Sequence, residues 1–275
     1  LLFGQRMRQG RLHLDFPETV ASFNPEGYLQ ELGSRPRLQA ARLVEECMLA
    51  ANVCAAQRLD SSFACAMYRC HEAPESDALR ALRDVFGLYG FKLRHAGEPV
   101  ATMLNDALRS IPEGHPASGS LQMLVLRSMK QAYYSPAIGR HFGLGFPAYS
   151  HFTSPIRRYP DLIAHRMLKE TLTSPGSGGA RLGDDALAVL AEHCSLTERA
   201  AEAVERQMMG WLKTEFMTRF LGEEFAGKVT GVTEFGVFVT LEALPVDGLV
   251  HISDLGGDYF EFDERFDQKS NNHIY

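Results

Sequence analysis

The residue pattern of this chain changes at Gly222. Residues 184–221 have the apolar spacing of long helices, whereas residues 225–254 are rich in β-branched and aromatic residues interrupted by glycine, which is typical of short strands. Such a change of period indicates a new packing unit. We therefore predict an α+β protein with a mixed helix and strand domain over residues 1–221 and a small antiparallel β-barrel over residues 222–275.

The length and composition of the chain allow both units to bury a core. The 275 residues are 45% hydrophobic, which suits one large or two modest domains. In the first unit the residue pattern predicts a strand, a short connection, a helix, a second strand and three further helices. These lie at residues 10–16, 27–33, 37–59, 63–70, 76–86, 99–111 and 121–133.

The helical stretch that ends the first unit is expected to break near Cys194. Ser195 and Glu198 have the spacing of a capping box, which explains Glu198 as a helix cap rather than as a catalytic acid. Trp211 and Phe216 are expected to pack in the interior. An apolar row at helical spacing is expected beside them, formed by Ala201, Val204, Met208 and Leu212.

The segment from Tyr149 to Asp161 concentrates groups that bind phosphate. The planar fork of arginine grips phosphate with two hydrogen bonds, and free backbone N–H groups at a helix start suit an anion. Pro155 is expected to precede a helix that runs through Lys169. The hydroxyl and guanidinium groups of this segment belong to Ser150, Thr153, Ser154, Arg157 and Arg158.

Nucleic acid is the ligand that this segment predicts. The whole chain has a net charge of −6 and a pI near 5.9, so total charge gives no support and the case depends on a local basic field. The alternative, a solvated basic face on an ordinary helix, stays open. Residues 121–169 contain seven cationic side chains and a single acidic one, Asp161. The cations are Arg127, Lys130, Arg140, Arg157, Arg158, Arg166 and Lys169.

The cysteines and the hydropathy indicate a reduced, cytoplasmic protein without a membrane partner. The five cysteines form no CxxC pair, which argues against a disulfide framework or a structural zinc site. Cys65, Cys70 and His71 could hold a metal, although half-buried thiols on a strand are the favoured interpretation. No apolar run approaches a membrane span, and no cationic leader precedes one.

The run from His151 to Asp161, followed by His165 and Arg166, resembles the signature of the RNase II/RNB family of exoribonucleases and, within it, the ribonuclease R type. Residues 45–52, 68–74 and 126–131 add to this similarity, and residues 227–251 resemble an S1 RNA-binding domain of the oligonucleotide-binding barrel type. The resemblance implies that residues 1–221 are the C-terminal portion of an RNB catalytic domain and that residues 222–275 are an incomplete S1 domain.

The family resemblance implies hydrolysis of single-stranded RNA from its 3′ end to 5′-mononucleotides, driven by Mg²⁺ ions. It places Arg157 on the scissile phosphate and Glu205 nearby as an accessory carboxylate, the two catalytic candidates. For Glu205, an ordinary solvated helix face is an equal alternative. The candidates for RNA binding are Arg158, Ser154, Thr153, His151, Tyr149, Lys130, Phe235, Phe238 and His251.

The aspartate-rich metal motif of the family would precede Leu1. We therefore expect the Mg²⁺ ligands upstream of this chain, name no metal ligand within it, and expect the chain by itself to be a catalytically incomplete fragment. The alternative is a non-catalytic RNA-binding or adaptor protein with an RNB-like surface. Single-stranded RNA is the expected partner, together with the ribosome or RNA-decay factors.

Overall fold

A computed structural model describes residues 4, 11–14, 16, 18–35, 38–93, 97, 99–173 and 183–256. The first unit contains strands β1 and β2, helix α1, strand β3, helices α2, α3 and α4, strand β4, and helices α5 and α6. In chain order these are Glu18–Phe23, Leu29–Arg35, Gln39–Ser62, Tyr68–Cys70, Ser76–Leu88, Val100–Arg109, Ser118–Arg127, Tyr133–Ser135, Tyr159–Thr173 and Asp184–Met217.

A 3₁₀ turn at Thr218–Phe220 leads from α6 to the second unit. There, strands β5 (Gly227–Thr233), β6 (Gly236–Leu241) and β7 (Asp247–His251) form an antiparallel sheet in which β6 is central. The other two sheets are antiparallel pairs, β1 with β2 and β3 with β4. The predicted α+β class, with strands after Gly222, is confirmed.

Two sequence predictions near the start of the chain are not met. Residues 11–14 and 16, in the predicted strand at 10–16, have no regular structure, and the other residues of that strand lie outside the described ones. The predicted connection at 27–33 is instead mostly strand β2. The turn lies earlier, because Asn24 Oδ1 accepts a hydrogen bond from Tyr28 N (2.8 Å) and Gly27 has a φ of +86°.

Buried side chains hold the short β3–β4 pair in the centre of the first unit. Tyr68 and Cys70 of β3 pack with α1 and α5 through residues such as Leu59 and Ala164. On the other side, Tyr134 of β4 packs with residues from α5 and α6. A separate core joins α2, α3 and α4 around Phe86, Leu104 and Leu121. Helices α1, α5 and α6 therefore surround the β3–β4 pair, from which the phosphate-binding segment continues.

Helix α6 is continuous through Cys194, so the predicted break and capping box are wrong. Ser195 is buried inside the helix, where its Oγ donates to Ala191 O (2.8 Å) and accepts from Tyr134 N of β4 (2.8 Å). The Glu198 carboxylate bonds Arg69 instead of a helix N-terminus. The Ser195 hydroxyl, which was expected to cap a helix, instead links α6 to strand β4.

The apolar row on α6 is exposed except at Leu212, which packs against the core around Phe216. Val204 and Met208 lie on the surface of the described structure, and Trp211 is 61% exposed, so the expectation that Trp211 packs is wrong. Phe216 is buried, as predicted, against Leu29 of β2 and its neighbours. Periodicity predicts that these residues share a side of the helix, but it does not determine what covers that side.

Candidate nucleic-acid interface

A loop between β4 and α5 carries the phosphate-binding segment, and Asn52 of α1 anchors its first half. Asn52 Oδ1 accepts hydrogen bonds from Phe152 N (3.0 Å) and Thr153 N (3.2 Å), while Nδ2 donates to the Tyr149 hydroxyl (2.8 Å). On the other side, His165 of α5 donates from Nε2 to Phe152 O (2.8 Å) and stacks on the Phe152 ring at 4.1 Å. Two helices thus fix the backbone on both sides of Phe152.

The buried carboxylate of Asp161 anchors the second half of the loop. Its Oδ1 accepts from Ser154 N (2.7 Å) and from Arg158 Nη2 (2.8 Å). Between these anchors, Ser154 O accepts from Arg157 N (3.3 Å) and Arg158 N (3.0 Å), which closes a turn over residues 155–157. Helix α5 begins after this turn, at Tyr159, so Pro155 lies in the turn and the proline in the first turn of the helix is Pro160.

The two neighbouring arginines of the loop differ in their contacts. Arg157 is exposed at the turn, and its side chain forms no hydrogen bond or ion pair with any described residue. The Arg158 side chain is 21% exposed and bonds Asp161. Arg157 is therefore available to a ligand. RNA binding by Arg158 stays a prediction, because its guanidinium already has an internal partner.

The other predicted RNA contacts in the loop face inward to different degrees. Tyr149 and Ser150 are buried, and the Ser150 hydroxyl donates to Met67 O (2.6 Å). Thr153 Oγ1 is buried and has no hydrogen-bond partner among the described residues, whereas the Ser154 backbone is held by Asp161. Tyr149, Thr153 and Ser154 remain predicted RNA contacts that nothing tests, and Tyr149 lies in the wall behind the loop.

His151 is half-buried and its ring contacts those of Tyr134 and Tyr149. Its Nδ1 is hydrogen-bonded to the Tyr134 hydroxyl (2.8 Å), and the Arg69 guanidinium lies over the Tyr134 ring (4.6 Å) while bonding Glu198 (2.5 Å). Burial, helped by the Arg158 charge, lowers the pKa of His151 to about 2. Burial and the neighbouring histidine lower the pKa of His141 to about 3. Both imidazoles are therefore neutral near pH 7, and the positive charge of the site comes from arginine.

Lys130 is not on a helix, contrary to the prediction of a helix at 121–133, because α4 ends at Arg127. Its ammonium pairs with Glu72 (2.8 Å) and Glu75 (3.2 Å). These hydrogen bonds raise the pKa of Lys130, and the Lys130 ammonium lowers the pKa of Glu72. The basic field predicted from the sequence is thus partly neutralised by acids that lie far from it in the chain.

Glu205 lies on the exposed side of α6, in the wall of a groove between α6 and the β5–β7 sheet. The groove has a volume of about 1060 Å³. Glu205 and Arg157 share no hydrogen bond or ion pair in the described structure, so their joint action stays a prediction. The charged side chains that line the groove belong to Glu202, Glu205, Arg206, Lys213 and Asp247.

The β5–β7 sheet exposes the three residues predicted to contact RNA. Phe238 of β6 is 37% exposed and meets Phe235 edge to face, with ring centroids 6.2 Å apart. Phe238 pairs with Leu249 and His251 lies two residues further along β7, so these side chains share one side of the sheet. Val237, which directly precedes Phe238 in β6, is buried on the opposite side of the sheet. The alternative that the two phenylalanines are core residues is not supported.

No metal centre is formed by the described residues. Within these ranges no three His, Cys, Asp or Glu side chains lie where they could hold an ion together, so the Mg²⁺ implied by the family has no matching ligand set there. His71 uses both ring nitrogens on backbone groups, Lys130 O (2.8 Å) and Gly143 N (3.1 Å). A Cβ at Gly143 would lie 3.0 Å from His71 Nδ1, which explains the glycine.

Sequence reasoning missed the residues that hold the loop. No residue pattern assigns Asn52, Arg69 or Glu198 a role at the site, and Asp161 and His165 stand out only as part of the motif. One local signal existed, because asparagine has a poor helix propensity and Asn52 interrupts an alanine-rich helix.

No helix within the described ranges is long and apolar enough to cross a membrane.

Comparison with known proteins places this site in a family. The model described as RNB domain matches residues 2–174, and the model described as S1 RNA binding domain matches residues 218–275. Ribonuclease R of Vibrio cholerae is 38% identical over 272 residues, and that of Escherichia coli K12 is 37% identical over 267 residues. These alignments cover 96% and 94% of this chain and 33% of each relative, so the chain spans about a third of their length.

Solved structures give the same assignment. Mycoplasma genitalium RNase R in complex with ribose-methylated single-stranded RNA has a TM-score of 0.89 and 26% identity, over 98% of this chain and 43% of the other. Yeast Ssd1, described as a pseudonuclease, shares the fold with a TM-score of 0.66 at 21% identity, over 78% of this chain and 27% of the other. The resemblance read from the signature segment is confirmed, and since the RNB model covers more than half of its residues, this chain belongs to the RNB family.

Proposed function

We propose that this chain supplies RNA-binding and phosphate-stabilising groups to a hydrolytic exoribonuclease that degrades RNA from its 3′ end and releases 5′-mononucleotides. The observation that carries the proposal is the exposed Arg157, which has no partner among the described residues and lies on a loop that Asn52, Asp161 and His165 hold in place. The relatives named ribonuclease R, one of them solved with single-stranded RNA, support the same activity.

Arg157 suits the chemistry of phosphodiester hydrolysis. Release of a 5′-mononucleotide requires water to attack phosphorus and the bond to the 3′ oxygen of the preceding nucleotide to break. Negative charge grows on the phosphoryl oxygens in this step, and a preorganised guanidinium stabilises it with two hydrogen bonds. Arg157 should therefore act on turnover more than on binding. Glu205, in the groove beside the S1-like sheet, is the proposed accessory carboxylate.

The S1-like sheet provides a second part of the proposed RNA path. The exposed rings of Phe235 and Phe238, with His251 on the same side of the sheet as Phe238, form a surface on which bases can stack. Stacking tolerates any base, which suits an enzyme that shortens RNA regardless of sequence. A cytoplasmic location and contacts with the ribosome or RNA-decay factors remain predictions.

The function is tested by replacing Arg157 in the complete protein that carries these residues. Arg157→Ala should lower kcat on single-stranded RNA by about 10²- to 10³-fold with little change in KM, because one preorganised donor to a developing oxyanion is worth that much. Arg157→Lys should recover little, since an ammonium lacks the planar fork. Arg83→Ala, at an exposed arginine on α2 outside the signature segment and the basic field, is the matched control and should have little effect.

Two outcomes would contradict parts of the proposal. Unchanged kcat with only weaker RNA binding in Arg157→Ala would remove the role assigned to Arg157. Tight RNA binding with no mononucleotide release by the unaltered protein would favour the non-catalytic RNA-binding alternative. Because the described residues hold no metal cluster, we also expect the 275-residue chain supplied with Mg²⁺ to release no mononucleotides by itself.

A further inference from the structure

In the function proposed above, the buried carboxylate of Asp161 is only one of several anchors of the loop, with no separate effect on turnover. We infer that Asp161 is a positioning residue for Arg157, an inference that rests on that proposed function. Asp161 is fully buried, so it cannot itself contact RNA in the described structure. Its contacts are nevertheless concentrated on the two ends of the turn that carries Arg157.

The geometry shows how one oxygen atom sets the shape of the turn. Asp161 Oδ1 bonds the backbone N–H of Ser154, immediately before the turn, and the guanidinium of Arg158, immediately after it. The three residues between them are 155–157. The Arg157 side chain has no tie of its own to the described residues, so the direction in which it points depends on the backbone of this turn.

The charges support the same role. A buried carboxylate is costly unless it is paired, and Arg158 provides the pairing cation at 2.8 Å. The loop therefore carries one guanidinium that is held by Asp161, that of Arg158, and one exposed guanidinium without a partner among the described residues, that of Arg157.

Two polar atoms of this anchor have no partner among the described residues. Asp161 Oδ2 and Arg158 Nε are buried and have no hydrogen-bond partner within the described ranges. Unsatisfied buried polar atoms are unfavourable and are rare in cores, and they concentrate where a protein gives up stability for geometry. Here the geometry that they accompany is the turn of Arg157.

The test is a double-mutant cycle in the complete protein. Asp161→Asn conserves size and an acceptor for Ser154 N, but it removes the charge that holds Arg158. It should lower kcat on single-stranded RNA by about 10- to 100-fold with KM changed less than about 3-fold. Combined with Arg157→Ala it should lower kcat by less than about 3-fold further, because the side chain that it positions is already gone.

A stability control separates positioning from general damage. Val85→Ala opens a cavity in the core of α2, α3 and α4, distant in sequence from the loop, and should lower the melting temperature while kcat is retained. If Asp161→Asn does not fold, Arg158→Gln takes its place in the cycle, since it weakens the same anchor. Its loss of kcat should likewise disappear in the Arg157→Ala background.

Several results would overturn the inference. The first is that Asp161→Asn leaves kcat unchanged, whether or not it lowers the melting temperature as Val85→Ala does. The second is that Asp161→Asn lowers kcat by the same factor in the Arg157→Ala background as in the unaltered protein. Each of these leaves the proposed function in place as long as Arg157→Ala is itself impaired. A fully active Arg157→Ala would instead refute the role proposed for Arg157 and this inference together.

Discussion

Replacing Asn52 with alanine should loosen the loop from helix α1. The change removes one hydrogen bond each from the backbone N–H groups of Phe152 and Thr153 and from the hydroxyl of buried Tyr149. A buried polar group that loses its partner costs about 1–3 kcal/mol. Phe152 and Thr153 are only partly buried, so water can recover some of that cost, and we expect a total loss of about 2–4 kcal/mol in the free energy of unfolding.

Asn105 provides a matched control for this prediction. It is also a buried asparagine on a helix, and it holds a neighbouring segment by accepting from His13 N (3.0 Å) and donating to Arg11 O (2.6 Å). Urea unfolding of Asn105→Ala should show a comparable loss of stability. Only Asn52→Ala should also lower kcat on single-stranded RNA, because only Asn52 holds the loop that carries Arg157.

The assay combines the urea unfolding curve with RNA-degradation kinetics on the same preparations. A loss below about 1 kcal/mol in Asn52→Ala would mean that the amide does not hold the loop, since even one unpaired buried donor should cost that much. An equal loss of kcat in both variants would mean that activity follows general stability and not the loop.

Three other predictions concern His141, His151 and the S1-like sheet. Burial lowers the pKa of His151 to about 2 and that of His141 to about 3 in the folded protein. In the unfolded chain a histidine has a pKa of about 6.5, so below that pH the unfolded chain binds protons that the folded protein does not. The free energy of unfolding is therefore highest above about pH 6.5 and decreases as the pH falls below it. The free energy of unfolding should fall by about 1 kcal/mol per pH unit for each histidine, and His151→Gln should reduce that slope in urea titrations from pH 7.5 to 5. Phe238→Ala should weaken single-stranded RNA binding by about 1–3 kcal/mol in titrations with several sequences, and lost stability with intact affinity would assign the ring to the core. Gly236→Ala should unfold the sheet in circular dichroism melts, because φ is +151° and the added Cβ would lie 2.2 Å from Val250 O; a normal melt would refute this.

Local sequence showed the change of residue pattern after Gly222 and the motif. The change at Gly222, the helices near residues 76–86 and 99–111, and the cluster of hydroxyls and arginines at 149–161 are all visible in the residue order, because each depends on neighbours within a few positions. Helix periodicity also predicted correctly which residues of α6 share a side. It could not predict that Trp211 on that side is exposed, because exposure depends on what packs there.

Tertiary structure decided which charges are available. Two adjacent arginines look alike in sequence, yet Asp161 pairs with Arg158 and leaves Arg157 exposed. Asn52 reaches Phe152 across 100 positions of the chain, and Glu198 reaches Arg69 across 129. Contacts at such separations depend on how α1, α5 and α6 pack around the β3–β4 pair. A residue pattern records only what lies nearby in the chain, whereas the partner of a charge is set by distance in the folded protein.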